Sequence, residues 1–172
     1  MAEDSNSVAA AEALVFRPLG LPGDGALAVH FSEDAFVCSF GSAERFWAEA
    51  GRDGRRWVER LGEKLQQDPR NAVNAWLGGS IVGQVVLGSS ETEPSTGHVN
   101  LYYLVPQWRG RGLAQQLDAY AVDVLRDQGY RSATLNVSPT NVRALRFYLR
   151  CGWNELGAPP DAPFVHAMAR RL

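Results

Sequence analysis

With 172 residues, 45% of them hydrophobic and 21% charged, the chain fits one globular domain with a sizeable core. A formal net charge of -2 disfavours a general nucleic-acid surface, and no run approaches the roughly 18 apolar residues of a membrane span. The two cysteines, Cys38 and Cys151, form no Cys-x-x-Cys pair and have no histidine at metal-ligand spacing, so no metal site is expected and Cys151 reads as a small buried hydrophobe.

Met1 to Ala13 carries Glu3, Asp4 and Glu12 and lacks strand or cap signals. It is expected to be a disordered tail, with a single domain over residues 14–172. It also lacks the basic start and apolar core of a signal peptide, so a cytoplasmic location is expected. Leu14 to Leu19 predicts a short strand, ended by Pro18 and the turn-rich Gly20 to Gly25.

Ser32 to Gln67 predicts a broken helical stretch. Ser32 is the expected cap, with Glu33 and Asp34 in the first turn. Phe36 and Phe40 share a face and Gly41 is a stop. Ser42 restarts the helix through Phe46 and Trp47, and Gly51 to Gly54 breaks it again. Trp57, Leu61 and Leu65 then form an apolar stripe that Asp68-Pro69 ends.

Asn71 to Leu77 and Ser80 to Leu87 predict two strands joined by the tight hairpin signal Gly78-Gly79. Gly88 to Gly97 is a polar loop, and the apolar, aromatic run Val99 to Leu104 predicts a buried strand. Leu113 to Leu125 has helical periodicity, with Leu113, Leu117, Ala121 and Val124 on its buried face and Gly129 past its end. Arg131 to Ser138 alternates as a strand does. Ser138 to Asn141 turns into a last helix, capped by Thr140 or Asn141 and ended by Gly152. Trp153 to Leu156 and Phe164 to Ala169 predict a closing strand pair across the Pro-rich Ala158 to Pro163.

The stretch Val105-Pro106-Gln107-Trp108-Arg109-Gly110-Arg111-Gly112-Leu113-Ala114 joins the buried strand to the central helix. A strand, a glycine turn and a helix N-terminus in that order make an anion site, because the first helical N–H groups lack partners and the helix dipole adds positive charge. Gly110 and Gly112 let the backbone bend and approach a ligand. Arg109 and Arg111 add two cations, so the expected guest is a phosphate or pyrophosphate. A Walker A loop is excluded, since Gly112 is followed by Leu113 and Ala114 rather than Lys-Ser/Thr. A dinucleotide fingerprint fails as well: Gln115 stands where a third Gly or Ala belongs, and the next strand offers Asn136 instead of a carboxylate. The plain alternative is an ordinary strand-to-helix turn.

Filled by Gln107, Gly110 and Gly112, the stretch resembles motif A of the GNAT acetyltransferase superfamily, Q/R-x-x-G-x-G/A. Asn141-Val142-Arg143-Ala144-Leu145-Arg146-Phe147-Tyr148-Leu149-Arg150-Cys151-Gly152-Trp153 resembles motif B of the same family, N-x-x-A-x-x-F-Y-x-x-x-G-[FW]. The two blocks lie in the right order, separated by one helix and one strand. The resemblance covers Leu14 to the C-terminus in element order, and its specific motifs span Val99 to Trp153. It implies an α/β (α+β) fold: a mixed, largely antiparallel sheet of about six or seven strands flanked by helices, splayed between its central strands to bind CoA.

The resemblance further implies acetyl-CoA as acyl donor. Gln107, Arg109, Gly110, Arg111, Gly112, Leu113 and Ala114 would hold its phosphates. Leu104 and Val105, at the bulged end of the central strand, would pair with the pantetheine arm. Asn141 would contact the same arm, or serve only as a helix cap. Tyr148 matches the tyrosine that lies near the CoA sulfur as a general acid. A phenol with a pKa of about 10 is protonated at neutral pH and can donate; the plain alternative is a helix-face aromatic beside Ala144. The general base is left open. The central strand offers Asn100, Tyr102 and Tyr103 but no carboxylate, and the candidates are His98, Glu91 and Glu93 in the preceding loop, Glu33 and Asp34 at the helical cover, or a relaying water.

These readings combine into an acetyl-CoA-dependent N-acetyltransferase that moves an acetyl group to a primary amine by direct transfer in a ternary complex. A small-molecule amine is the expected acceptor and a protein or peptide amine the alternative, with no nucleic acid or membrane partner. An edge strand would admit a homodimer. The rivals are a non-catalytic acyl-CoA-binding sensor, which needs no acid at Tyr148, and a pure interaction domain, which binds no CoA.

Overall fold

The Gly78-Gly79 turn, with φ of 54° and 87°, joins β2 (Ala72–Leu77) to β3 (Ser80–Ser89). Positive φ at both positions matches the twist of the flanking strands, so this hairpin forms from local preference. β1 (Val15–Pro18) pairs antiparallel with β2, and β3 pairs antiparallel with β4 (Gly97–Leu104). This computed structural model describes residues 13–172, so the expected tail, Met1 to Ala13, lies outside the described residues except for Ala13.

β4 is followed by α4 (Leu113–Asp127), which crosses over to β5 (Ser132–Val137), and among the described residues β4 and β5 form the one parallel pair. Parallel pairing requires such a crossover. After α5 (Val142–Arg150), β6 (Asn154–Gly157) and β7 (His166–Arg171) close the sheet antiparallel, in the order β1-β2-β3-β4-β5-β7-β6. The mixed, largely antiparallel sheet is thus the expected one. β4 and β5 pair only from Gly97 to Val99 against Ala133 to Leu135. Beyond Val99 the two strands share no register, and the sheet splays.

The irregularity of β4 does not fall where expected. Val86 pairs with Leu101 and Leu87 with Val99, so Asn100 is the extra residue of the bulge. Leu104 pairs regularly with Gly83, and the Val105 N–H donates to the Val82 carbonyl at 2.9 Å.

α1 (Gly25–Phe40), α2 (Glu44–Ala50) and α3 (Arg55–Gln67) form the cover on one face, where Ala28, Phe31 and Leu61 pack with Leu101 and Tyr103 of β4. α4 packs on the other face through Leu113, Leu117, Ala121 and Leu125. Neighbouring residues of a strand point to opposite faces, so Tyr102 goes to the α4 side and Tyr103 to the α1 side. Ser32 is not a cap. α1 begins at Gly25, because burying Ala28 and Phe31 draws the preceding segment into the helix, and Ser32 is left inside it at 2% exposure. The polar loop is also shorter than expected: β3 runs to Ser89 and β4 starts at Gly97, which puts His98 inside the sheet. Among the described residues, no helix is long and apolar enough to cross a membrane.

Candidate functional site

The splay opens a cleft of about 590 Å³ between β4, α1, the glycine turn and α5. Local sequence shapes each wall. Gly110 and Gly112 both have φ of 80°, a left-handed backbone that side chains disfavour. No side-chain cap closes Gly112 at the start of α4, so the first N–H groups of that helix face the cleft mouth without intrahelical partners. At the opposite wall the Asn141 side chain accepts from the Ala144 N–H at 3.1 Å, which sets the start of α5 and makes Asn141, rather than Thr140, its cap.

The structure brings Leu104, Arg109, Gly110, Gly112, Ala114, Asn141 and Tyr148 to this cleft. Val105, Gln107, Arg111 and Leu113 do not line it. Gln107 and Arg111 are exposed, the Arg111 guanidinium lying 4.8 Å from the Trp108 ring centre. Leu113 turns its side chain into the core and is 4% exposed. The Val105 N–H is spent within the sheet, as described above.

Arg109 points away from the glycine turn. Its Nε donates to the Leu104 carbonyl at 2.7 Å, its Nη2 to Asp34 Oδ2 at 3.0 Å and its Nη1 to Cys38 Sγ at 3.3 Å. The Tyr103 hydroxyl donates to the same Asp34 oxygen at 2.8 Å. Burial raises the Asp34 pKa, but the hydrogen bonds from Tyr103 and Arg109 outweigh it and hold the carboxyl below its usual value. Burial, then the Asp34 contact, pushes the Tyr103 phenol up. The cation that does face the turn is Arg143, which lines the cleft; any side chain at Gly110 would meet its Nη2 at 3.3 Å. Its signal was its place inside the second motif block, two residues after Asn141.

Tyr148 projects from α5 beside Tyr102, with ring centroids 6.1 Å apart. Burial, then the neighbouring charge of Asp118, pushes its phenol well above the usual range, so it stays a donor at any physiological pH. Asp118 itself is 5% exposed and accepts from Trp153 and Arg170. A charge amid Leu117, Ala121, Val122 and Leu125 on an otherwise apolar helix stripe was the signal for it.

Three of the candidate bases stand elsewhere. His98 lies six residues before Leu104, about 20 Å away along an extended strand, and bonds through Nδ1 to Thr134 Oγ1 at 2.9 Å. Glu91 and Glu93 belong to the loop before β4, at that same remote end. Glu33 accepts from the Trp47 indole at 3.0 Å, and Asp34 is engaged as above.

A splayed mixed sheet with an uncapped helix end and a glycine turn in the gap defines the class. The chain belongs to the acetyltransferase (GNAT) family, whose model matches residues 35–153. It is 28% identical over 138 residues to N-acetyltransferase 8B of Rattus norvegicus, a match covering 72% of this chain and 61% of that protein's length. In fold it is similar to the PaiA N-acetyltransferase of Thermoplasma acidophilum, solved with coenzyme A, at a TM-score of 0.75 and 13% identity over 93% of this chain and 99% of that one. It is similar also to the ribosomal-protein-alanine N-acetyltransferase of Brucella melitensis, at a TM-score of 0.71 and 18% identity over 92% and 100% of the two chains.

Proposed function

We propose that the chain is an acetyl-CoA-dependent N-acetyltransferase, acting as one domain over residues 14–172 and transferring acetyl directly to a primary amine. The observation that carries this reading is that one cleft holds both an uncapped helix start behind Gly110 and Gly112 and a phenol, Tyr148, kept protonated. The residues fit the donor. The N–H groups at the start of α4, with Arg143, suit a pyrophosphate, and Asn141 lines the same cleft as Tyr148.

Bound acetyl-CoA supplies the acetyl group as a thioester. The acceptor amine attacks the carbonyl carbon, the new C–N bond replaces the C–S bond, and Tyr148 gives its proton to the departing sulfur. The amine proton passes to water in the open cleft, since Glu33 and Asp34 are held by other partners and His98, Glu91 and Glu93 lie remote from it, and water returns a proton to the Tyr148 oxygen. No covalent acyl-enzyme is needed. A small-molecule amine is our first choice of acceptor, with a protein or peptide amine as the second.

Calorimetric titration of acetyl-CoA, with Gly112→Trp as the blocked control, tests the reading. Micromolar binding that the variant loses is expected, and an absence of binding to folded protein would overturn it. Amine screening with Tyr148→Phe then separates enzyme from sensor. The variant should lose about 100-fold in kcat while keeping acetyl-CoA affinity; an unchanged rate would sink the acid role.

A further inference from the structure

Since β4 and β5 pair only as far as Val99, a cleft between unpaired half-sheets needs another tie to hold its width. The Asp118 carboxylate of α4 provides one. Its Oδ1 accepts from the Trp153 indole at 2.8 Å and from the Tyr102 hydroxyl at 3.4 Å, and its Oδ2 accepts from Arg170 at 2.6 Å. Tyr102 belongs to β4 on one side of the splay, Arg170 to β7 on the other, and Trp153 follows α5. Arg170 stands in the row where β4, β5 and β7 are still paired, through Ala133 and Gly97, whereas Tyr102 lies beyond Val99, so one buried carboxylate ties the parted end of β4 back to β7 and to the end of α5.

Tyr148 sits against both tethered rings, its centroid 6.1 Å from that of Tyr102 and 6.3 Å from that of Trp153. The Trp153 backbone N–H also donates to the Tyr148 carbonyl at 3.0 Å. α5 has no fully buried residue of its own and rests on the core through the half-buried Ala144, Leu145 and Tyr148, so the contacts at Tyr148 help to fix where it lies. An apolar residue in place of Asp118 alone would leave the Arg170 charge and the Trp153 indole without their acceptor, a destabilising change. It would not hold three donors in fixed directions.

We propose that Asp118 is a positioning residue that clamps the two half-sheets across the splay and thereby holds the Tyr148 hydroxyl at the cleft. This rests on the reading of Tyr148 as the proton donor. The shorter bonds, to Trp153 and Arg170, carry most of the tie, and the longer one to Tyr102 sets the spacing across the gap.

A double-mutant cycle tests it. Asp118→Leu should lower kcat by about 10- to 100-fold, the scale of a slightly misplaced catalytic group, and change the acetyl-CoA KM by less than about threefold. In a Tyr148→Phe background the same change should cost almost nothing further. Additive losses, or an unchanged kcat in folded protein, would overturn the proposal. Asp118→Asn keeps an acceptor for Trp153 and should recover part of the rate. Hydrogen exchange in that variant reads the clamp without turnover. Amides of α5 should exchange about tenfold faster while those of β2 and β3 stay protected; a uniform change or none would refute the clamp. Should Tyr148→Phe itself leave kcat intact, the acid reading falls, and exchange alone decides whether Asp118 is a clamp.

Discussion

Arg109 donates from Nε to the carbonyl of Leu104 at 2.7 Å and from Nη2 to Asp34 at 3.0 Å, so one guanidinium ends β4 and ties it to α1. A lysine cannot span both partners, because its single ammonium lacks the planar fork. Arg109→Lys should therefore raise the acceptor KM or lower kcat, through Tyr103 and Asp34, and leave the acetyl-CoA Kd within about threefold. Calorimetry and steady-state kinetics check this. A loss of donor affinity of about tenfold, roughly 1.4 kcal/mol, would return Arg109 to the phosphate-binding side.

Arg143 has the complementary role. It faces the glycine turn from α5 and lines the cleft. Arg143→Ala should weaken acetyl-CoA about fivefold, roughly 1 kcal/mol for one partly exposed charge contact, and reduce the salt dependence of binding. Titration at low and high ionic strength measures both. Equal affinity at both salts would mean that backbone N–H groups alone hold the donor's phosphates.

Gly112 has φ of 80°, and nothing lies within 4 Å of where its Cβ would stand. The cost of Gly112→Ala is then backbone strain alone, about 1 to 2 kcal/mol, read as a lowered Tm in protein that still folds. Gly83→Ala is the contrast. There a Cβ would run into the Tyr103 carbonyl in the middle of the sheet, and loss of the folded state is expected by circular dichroism.

His98 sets an acid limit on stability. Burial, then the Lys64 cation, lowers its pKa from 6.5 to about 4. Between those values the unfolded chain binds a proton that the folded chain does not. Stability is therefore full above about pH 6.5 and falls as the pH drops toward 4. Thermal melts at about pH 7 and about pH 4.5 should show a smaller acid decline in His98→Gln than in the parent protein. Equal declines would mean that His98 is solvated in the folded state.

How much was legible follows from the range of each interaction. The Gly78-Gly79 hairpin, the Asn141 cap, the left-handed Gly110 and Gly112 and the apolar stripe of α4 are requirements met within a few residues, and reading the chain locally finds them. The succession of strands along the chain is legible too, since each short apolar segment is bounded by its own turn, but the place of β7 between β5 and β6 is not. Ser32 was misread because a cap signal is weak beside the burial of Ala28 and Phe31 against α3 and β4.

What only the tertiary structure decided are choices between partners far apart in the chain. Arg109 and Arg143 look alike as cations near a glycine turn. It is Asp34 on α1 that draws the first one away and the packing of α5 that brings the second one in. His98 became a remote sheet residue, and not a base at the cleft, through its pairing with Thr134. Asp118 meets Arg170, 52 residues further along, only once α4 and β7 have both packed on the sheet. A local pattern can state what kind of group stands at a position, but direction and pairing depend on contacts that exist only once the sheet has formed.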